Sequence, residues 1–190
     1  MLNAFMSSLN WIDILMVGIM MRAIFVGMKT GFFIELFKLL SIVFAIFITH
    51  HYYTFFAWFL GEKAHFAPFL ANSVGFGFLW ILVVLIFKLV RDALLILFKM
   101  QANSAFDQWA GFAIALGRGA LICSLTFMLL YVSEIKELAK YLNRSLSGPY
   151  LSNLSLGVYE ACYYSLVSKF FEHEQLNSAV FKLRDIEAQK

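Results

Sequence analysis

Four long apolar runs, each interrupted by few charged residues, organise the first two thirds of the chain. They cover residues 11–28, 32–49, 69–87 and 109–132. Each run is about long enough for a helix to cross the hydrocarbon core of a bilayer, where backbone groups must find hydrogen-bond partners inside their own segment. The pattern predicts an all-α integral membrane protein, a bundle of four transmembrane helices built from two helical hairpins.

Two segments lie outside these runs. Residues 50–68 are aromatic and include Glu62 and Lys63, a mixture typical of the headgroup region, so they predict an interfacial belt or a shallow re-entrant piece. Residues 133–190 alternate apolar and charged positions at helical spacing around a turn-rich linker. They predict an amphipathic, helical C-terminal tail that lies on a membrane face or against partner helices, and the membrane domain is expected to comprise residues 1–132.

The composition favours a membrane protein. Hydrophobic residues make up 62% of the 190 residues, compared with roughly 45 to 50% in a soluble domain. The formal net charge is +3, but the Lys and Arg residues form no clustered basic stripe, so nucleic acid is not an expected partner. Cys123 and Cys162 form no motif and predict no disulfide framework.

The sequence predicts no catalytic site, no metal site and no cofactor. The stretch HEQLN at 173–177 lacks the second histidine of a zinc-protease motif, and no G-x-S-x-G motif occurs. The embedded acids show no paired catalytic spacing. His50, His51 and His65 have no accompanying acid or cysteine at ligand spacing, so we interpret them as amphipathic rings at the headgroup level.

The distribution of Lys and Arg predicts the orientation. Lys29, Lys88, Arg91 and Lys99 lie in or beside the two hairpin connections, whereas the other side has an uncharged N-terminus and Lys63. Because cytoplasmic loops carry an excess of positive charge, both hairpin turns are expected in the cytoplasm and both termini on the outer side.

A stripe of small residues marks one face of the fourth span. At 100° per residue, Asp107, Gly111, Ala115 and Arg118 fall within about 80° of one another. Small residues at four-residue spacing let another helix approach closely, so the stripe predicts a packing seam; part of a solute pathway is the alternative. Two further glycines are expected to widen the small surface: Gly117 and Gly119.

Arg118 lies inside an apolar span and needs a partner. The acid at the start of the same helix is about 16 Å away, too far for an ion pair, whereas Glu35 lies on the other hairpin at a matching depth. We therefore expect an ion pair between Arg118 and Glu35, to which Lys38 can add; snorkelling toward solvent is the alternative. Asp13, just after the interfacial Trp11, is interpreted as an acid at a helix start near the outer surface.

Two stretches, NWIDILMVGIMMRAIFVGMKTGFFIELFKLL and FDQWAGFAIALGRGALI, resemble the colicin V production protein family of bacterial inner-membrane proteins. The family pattern has a W-I-D start, a G-x-x-x-G-F-x-x-E-L block at the first hairpin and a D-x-x-x-G-x-x-x-G-x-x-R-G block that opens the fourth span. The resemblance covers about residues 10–132, with the tail outside it, and position 115 is Ala where the family usually has Gly. The matching residues are Trp11, Ile12, Asp13, Gly27, Gly31, Phe32, Glu35, Leu36, Asp107, Gly111, Arg118 and Gly119.

The resemblance implies a role in the production or export of a peptide toxin in some bacteria and in envelope maintenance otherwise, with no enzymatic reaction. It implies the lipid bilayer as a partner, with a homo-oligomer or other envelope proteins as further partners. The rival interpretation is an oligomeric transporter or channel component that uses Glu35 and Arg118, because ionisable residues embedded in a membrane often mark ion paths.

Overall fold

The computed structural model describes residues 10–98, 105–133, 147–170 and 176–181, and five positions between 134 and 146. These residues form helices and short connections, without a strand among them. Five helices longer than ten residues follow one another: α1 (Trp11–Thr30), α2 (Phe32–Ala64), α3 (Pro68–Phe98), α4 (Ala105–Val132) and α5 (Gly148–Cys162). A π-helical turn (Tyr163–Val167) and the short helix α6 (Ser168–Phe170) come next.

Four of these helices are long and apolar enough to cross a membrane. The candidate spans are Trp11–Thr30, Phe32–Lys63, Leu70–Ile96 and Asp107–Val132. Their outward faces carry large exposed apolar side chains, such as those of Phe25 and Leu89, which is typical of a surface that contacts lipid. The predicted all-α bundle of four spans is confirmed.

Local residues explain where the helices begin and end. Gly31 has a φ of 77°, a conformation that a side chain disfavours, and it separates α1 from α2 as a single residue. His65, also at positive φ, ends α2. Pro68 begins α3, where its missing N–H costs nothing because the first turn of a helix offers that group no partner.

The second span belongs to a helix that is longer than the apolar run. α2 continues through the aromatic segment to Ala64, 33 residues in all and about 50 Å in length. It does not break after residue 49, because residues 32–60 include no Pro or Gly that could end the helix. The aromatic segment is therefore a helical extension of the span, and its position at the membrane interface stays a prediction.

The helices pack in two antiparallel pairs. α2 lies along α3 and α1 lies along α4, while the consecutive helices α1 and α2 hardly contact each other. α4 is central, because it also contacts α2, α3 and α5. The closest pairs therefore differ from the hairpins expected over residues 11–49 and 69–132, because α2 packs mainly against α3 and α1 packs mainly against α4.

The C-terminal tail packs into the bundle. The largest hydrophobic cluster runs along α2, α3 and α4 and includes Leu156 and Tyr159 of α5. Ser124 of α4 donates a hydrogen bond to a backbone carbonyl of α5 and accepts one from the Ser155 amide at 2.9 Å. The tail helix α5 therefore packs against other helices of the bundle, which is one of the two positions expected for the tail. The domain boundary after residue 132 stays a prediction.

Candidate functional site

Arg118 meets Glu35 in the interior of the bundle. Arg118 Nε and Glu35 Oε2 are 2.8 Å apart, so the ion pair expected between the two hairpins is present. The Glu35 side chain is 0% exposed, and its Oε1 atom lies 2.6 Å from Lys38 Nζ, which is nearly one turn further along α2. We call Glu35, Lys38 and Arg118 the ion cluster.

Two residues of α1 complete the surroundings of the ion cluster. The hydroxyl of Thr30 donates to Glu35 Oε1 at 2.6 Å, and the single-residue link after Thr30 keeps these two positions together. Arg118 Nη2 donates to the Ala23 carbonyl at 3.3 Å. One buried carboxylate is thus held by two cations and a hydroxyl, which offsets the cost of removing its charge from water.

The small residues of α4 lie in close backbone contact with α1. A Cβ atom added at Gly27 would overlap Ala115 Cβ, and one added at Gly111 would lie 2.8 Å from the Gly27 carbonyl oxygen. At Gly119, an added Cβ would meet Met20 Sδ at 2.7 Å. Real Cβ atoms essentially never make contacts this short, so at Gly27 and Gly111 the helices would have to separate to admit a side chain, whereas at Gly119 the flexible Met20 side chain would have to move. We call Gly27, Gly111, Ala115 and Gly119 the glycine seam.

Two other glycines differ in their surroundings. Gly31 needs to be glycine because of its positive φ, and its Cα lies 3.3 Å from where a Cβ on Gly111 would stand. Gly117 faces open space, since a Cβ added there would meet nothing within 4 Å. The expectation that Gly117 widens the packing surface is wrong, because the helix turns it about 200° away from Ala115.

Asp13 connects the start of α1 to the segment before α5. Its Oδ1 atom accepts hydrogen bonds from the hydroxyls of Ser145 at 2.6 Å and Ser147 at 2.7 Å, and its Oδ2 atom accepts one from the Asn10 amide at 3.3 Å. The bond to Asn10 fits an acid at a helix start. The serines had no sequence signal for this contact beyond their place just before a helix start.

Trp11 and Asp107 lie at opposite ends of the bundle. Trp11 begins α1, and its exposed ring meets the Tyr141 ring edge-on with centroids 6.5 Å apart. Asp107 lies half-buried in the first turn of α4. The predicted site residues therefore form two groups, with the ion cluster and much of the glycine seam nearer the end that contains Gly31.

A cleft of about 240 Å³ lies beside the ion cluster, between α2, α3 and α4. Sequence reasoning used the α3 cations only to predict orientation and missed this cleft. The available signal was the helical spacing of positions 84, 87, 88 and 91, which share one face of α3. The cations that line the cleft are Lys38, Lys88, Arg91 and Arg118.

His50 is a core residue of the bundle. It is fully buried, its ring lies near those of Phe76 and Tyr159, and its Nδ1 atom is 2.9 Å from the Ile46 carbonyl oxygen. The expectation that His50 is an amphipathic ring at the headgroup level is wrong, because aromatic side chains of α3 and α5 enclose it. Among the residues that the structure describes, no three His, Cys, Asp or Glu side chains are grouped so as to hold a metal ion.

These features define a multi-pass membrane protein whose four-helix bundle buries an ion cluster beside a glycine seam. The family model described as colicin V production protein matches residues 12–156, and the chain belongs to this family. The match extends past residue 132 into α5, so the expectation that the family pattern ends before the tail is wrong. No curated protein and no solved structure matches the chain.

Proposed function

We propose that this protein is a non-enzymatic scaffold of the bacterial inner membrane, with a role in toxin production or export or in envelope maintenance. The observation that carries the proposal is the set of contacts around Glu35, which is 0% exposed and contacted by Lys38, Arg118 and Thr30. An acid that carries protons or ions has to exchange partners during its cycle. Glu35 instead fastens α4 to the junction of α1 and α2.

The close contact between α1 and α4 supports a rigid role. Gly27 and Gly111 leave no space between the two backbones, so α1 cannot slide along α4 without separating from it. A rigid bundle presents constant outer faces to lipid and to other envelope proteins. Those faces carry large apolar side chains, for example Ile14 and Ile81.

The proposed orientation places the turn at Gly31 in the cytoplasm and both chain ends in the periplasm. Lys29, Lys88 and Arg91 lie near the Gly31 end, which fits the excess of positive charge in cytoplasmic segments. A membrane-impermeant maleimide applied to intact spheroplasts should label a cysteine at residue 190 but not one at residue 99, in a protein without its native cysteines. Labelling of residue 99 alone would reverse the orientation.

The second candidate function is an oligomeric transporter or channel component. The observation that favours it is the cationic cleft beside Arg118, since charged side chains inside membrane segments often line solute paths. Four helices form a small bundle, so a pore of this kind needs several copies of the chain.

Two measurements, solute flux and complementation in cells, separate the candidates. For a scaffold, we expect proteoliposomes that contain the purified protein to pass chloride and protons no faster than empty liposomes. In a bacterial strain that lacks the gene, wild-type protein should restore resistance to detergent, and Glu35→Ala should restore less. Protein-dependent flux that Arg118→Ala abolishes, with the fold intact by circular dichroism, would replace the scaffold with the transporter.

A further inference from the structure

The cleft beside the ion cluster has an excess of positive charge. Its described lining residues include four cations and no acid. Among the residues that the structure describes, two carboxylates pair with these cations: Glu35, buried in the ion cluster, and Asp92, which pairs with Arg91 at 2.6 Å. Within that part of the chain, four cations against two carboxylates leave two positive charges without a counter-charge. Such an excess inside a membrane segment is costly unless an anion neutralises it.

Of the four cations, Lys88 is the most accessible to a bound ligand. Its side chain is exposed, and no carboxylate among the residues that the structure describes lies within ion-pair distance of it. Lys88 and Arg91 are three residues apart on α3, so both point into the space between α3 and α2.

The two arginines keep hydrogen-bond donors beyond those they already use. Arg91 donates from Nε and Nη2 to Asp92 Oδ1, and Arg118 donates from Nη2 to Ala23. A guanidinium group has five N–H donors in a planar fork, which suits the oxygens of a phosphate group. Arginine and lysine together are the usual protein groups for phosphate recognition.

Apart from Ser41, the rest of the cleft lining is apolar. Phe37, Ile42, Val84 and Phe87 form walls next to the cations. Lys38 lies seven residues after Gly31, about 10 Å along α2, which places the cleft near one end of the spans. A ligand with an anionic group and an acyl chain matches this combination of cations and apolar walls at a membrane boundary.

We propose that the cleft between α2, α3 and α4 binds the phosphate group of an anionic phospholipid, with an acyl chain of that lipid along the apolar walls. Lys88 and Arg91 contact the phosphate oxygens, and the ion cluster forms the positive floor of the site. Inorganic phosphate carries the same group without the acyl chain, so it is the source to be distinguished. This site is independent of the scaffold proposal, because binding is measured without a cellular readout.

The test uses the purified full-length protein in detergent micelles, with binding followed by native mass spectrometry and by thermal denaturation. One arm adds phosphatidylglycerol, a second adds zwitterionic phosphatidylcholine and a third adds inorganic phosphate. We expect phosphatidylglycerol to bind with at least about fivefold higher affinity than phosphatidylcholine and to raise the melting temperature, because each cation near an anionic headgroup contributes measurably.

Two variants and a matched control make the site specific. Lys88→Gln removes an exposed charge without a described partner, so the protein should fold as before; it is expected to lose about fivefold in affinity for phosphatidylglycerol, and Lys88→Gln/Arg91→Gln should lose more. Lys29→Gln removes a charge outside the cleft, from a side chain that lies over the Phe25 ring, and should bind like wild type.

Three results would overturn the proposal. Equal losses of phosphatidylglycerol affinity for Lys88→Gln and Lys29→Gln would show that the lipid is attracted by the overall positive charge of the protein rather than bound at a site. Equal affinity for the two lipids would remove the role of the anionic headgroup. Saturation by inorganic phosphate, with no additional gain from phosphatidylglycerol, would replace the lipid with a free anion.

Discussion

The α1–α4 pair and the α2–α3 pair achieve helix contact in opposite ways. In the first pair, glycines bring the backbones so close that no side chain fits between them, as at Gly27 opposite Ala115. In the second pair, aromatic rings fill the space, as where the ring centroids of Phe44 and Phe87 are 5.1 Å apart. Lipid tails are as apolar as the helices, so both pairs depend on van der Waals contact rather than on escape from water.

The close contact between α1 and α4 also determines the surroundings of Arg118. Close approach of α1 and α4 places the Ala23 carbonyl 3.3 Å from Arg118 Nη2, and the same arginine reaches Glu35. The face that packs most tightly is therefore next to the face that neutralises the embedded charges. A contact of this kind tolerates no added atoms, whereas a contact between large side chains tolerates changes that keep the volume.

A leucine in the glycine seam has the largest expected effect. Gly111→Leu forces α1 and α4 apart, because even a Cβ at this position would lie 2.8 Å from the Gly27 carbonyl oxygen. We expect the free energy of unfolding to fall by roughly 3 kcal/mol, or folded protein not to accumulate. Unfolding by SDS in mixed micelles measures this loss.

Gly117→Leu is the matched control, because it adds the same side chain to the same helix where an added Cβ meets nothing within 4 Å. Equal losses for the two leucine variants would show that the seam is not a close contact.

Alanine at the same two positions should change stability in opposite directions. Gly117→Ala is expected to stabilise the protein by about 0.5 to 1 kcal/mol, because alanine is the better helix former. Gly111→Ala is expected to destabilise it by about 1 to 2 kcal/mol, because the methyl group meets backbone atoms of α1. Melting temperatures in detergent compare the two, and a more stable Gly111→Ala would contradict the packing described for the seam.

The smallest effect is expected in the α2–α3 pair. Phe78 stacks on Phe56 with ring centroids 5.0 Å apart and is partly exposed on its outer side. Phe78→Leu keeps most of the apolar volume, so the loss in unfolding free energy should be about 1 kcal/mol or less. The same SDS titration measures it. A loss as large as that of Gly111→Leu would remove the contrast between the two helix pairs.

The sequence was sufficient for the spans, and it made the ion pair one of two alternatives for Arg118, which the structure then resolved. Apolar runs of membrane length identify the four helices, and counting residues from Gly31 places Glu35 at the depth of Arg118. Both inferences rest on distances along single helices, which the regular rise of a helix fixes. The stripe at Gly111 was visible for the same reason, because it belongs to one face of one helix.

Features that depend on two or more elements were not predictable in this way. Periodicity shows which face of α4 is small but not that α1, rather than α3, covers it. The contact of Asp13 with Ser145 and Ser147 joins segments more than 130 positions apart, and no local pattern marks it. The cleft required α2, α3 and α4 to be placed together before Lys88 and Arg91 could be recognised as its lining.

The central claim is that Glu35 holds Arg118, and a double-mutant cycle tests it most directly. Glu35→Ala should cost about 3 kcal/mol, because Lys38 and Arg118 both lose their carboxylate; Arg118→Ala should cost less, because Glu35 keeps Lys38. SDS unfolding of the purified variants should give a double variant that costs at least about 1 kcal/mol less than the sum of the single losses. Strictly additive losses would show that the two residues do not hold each other in the membrane.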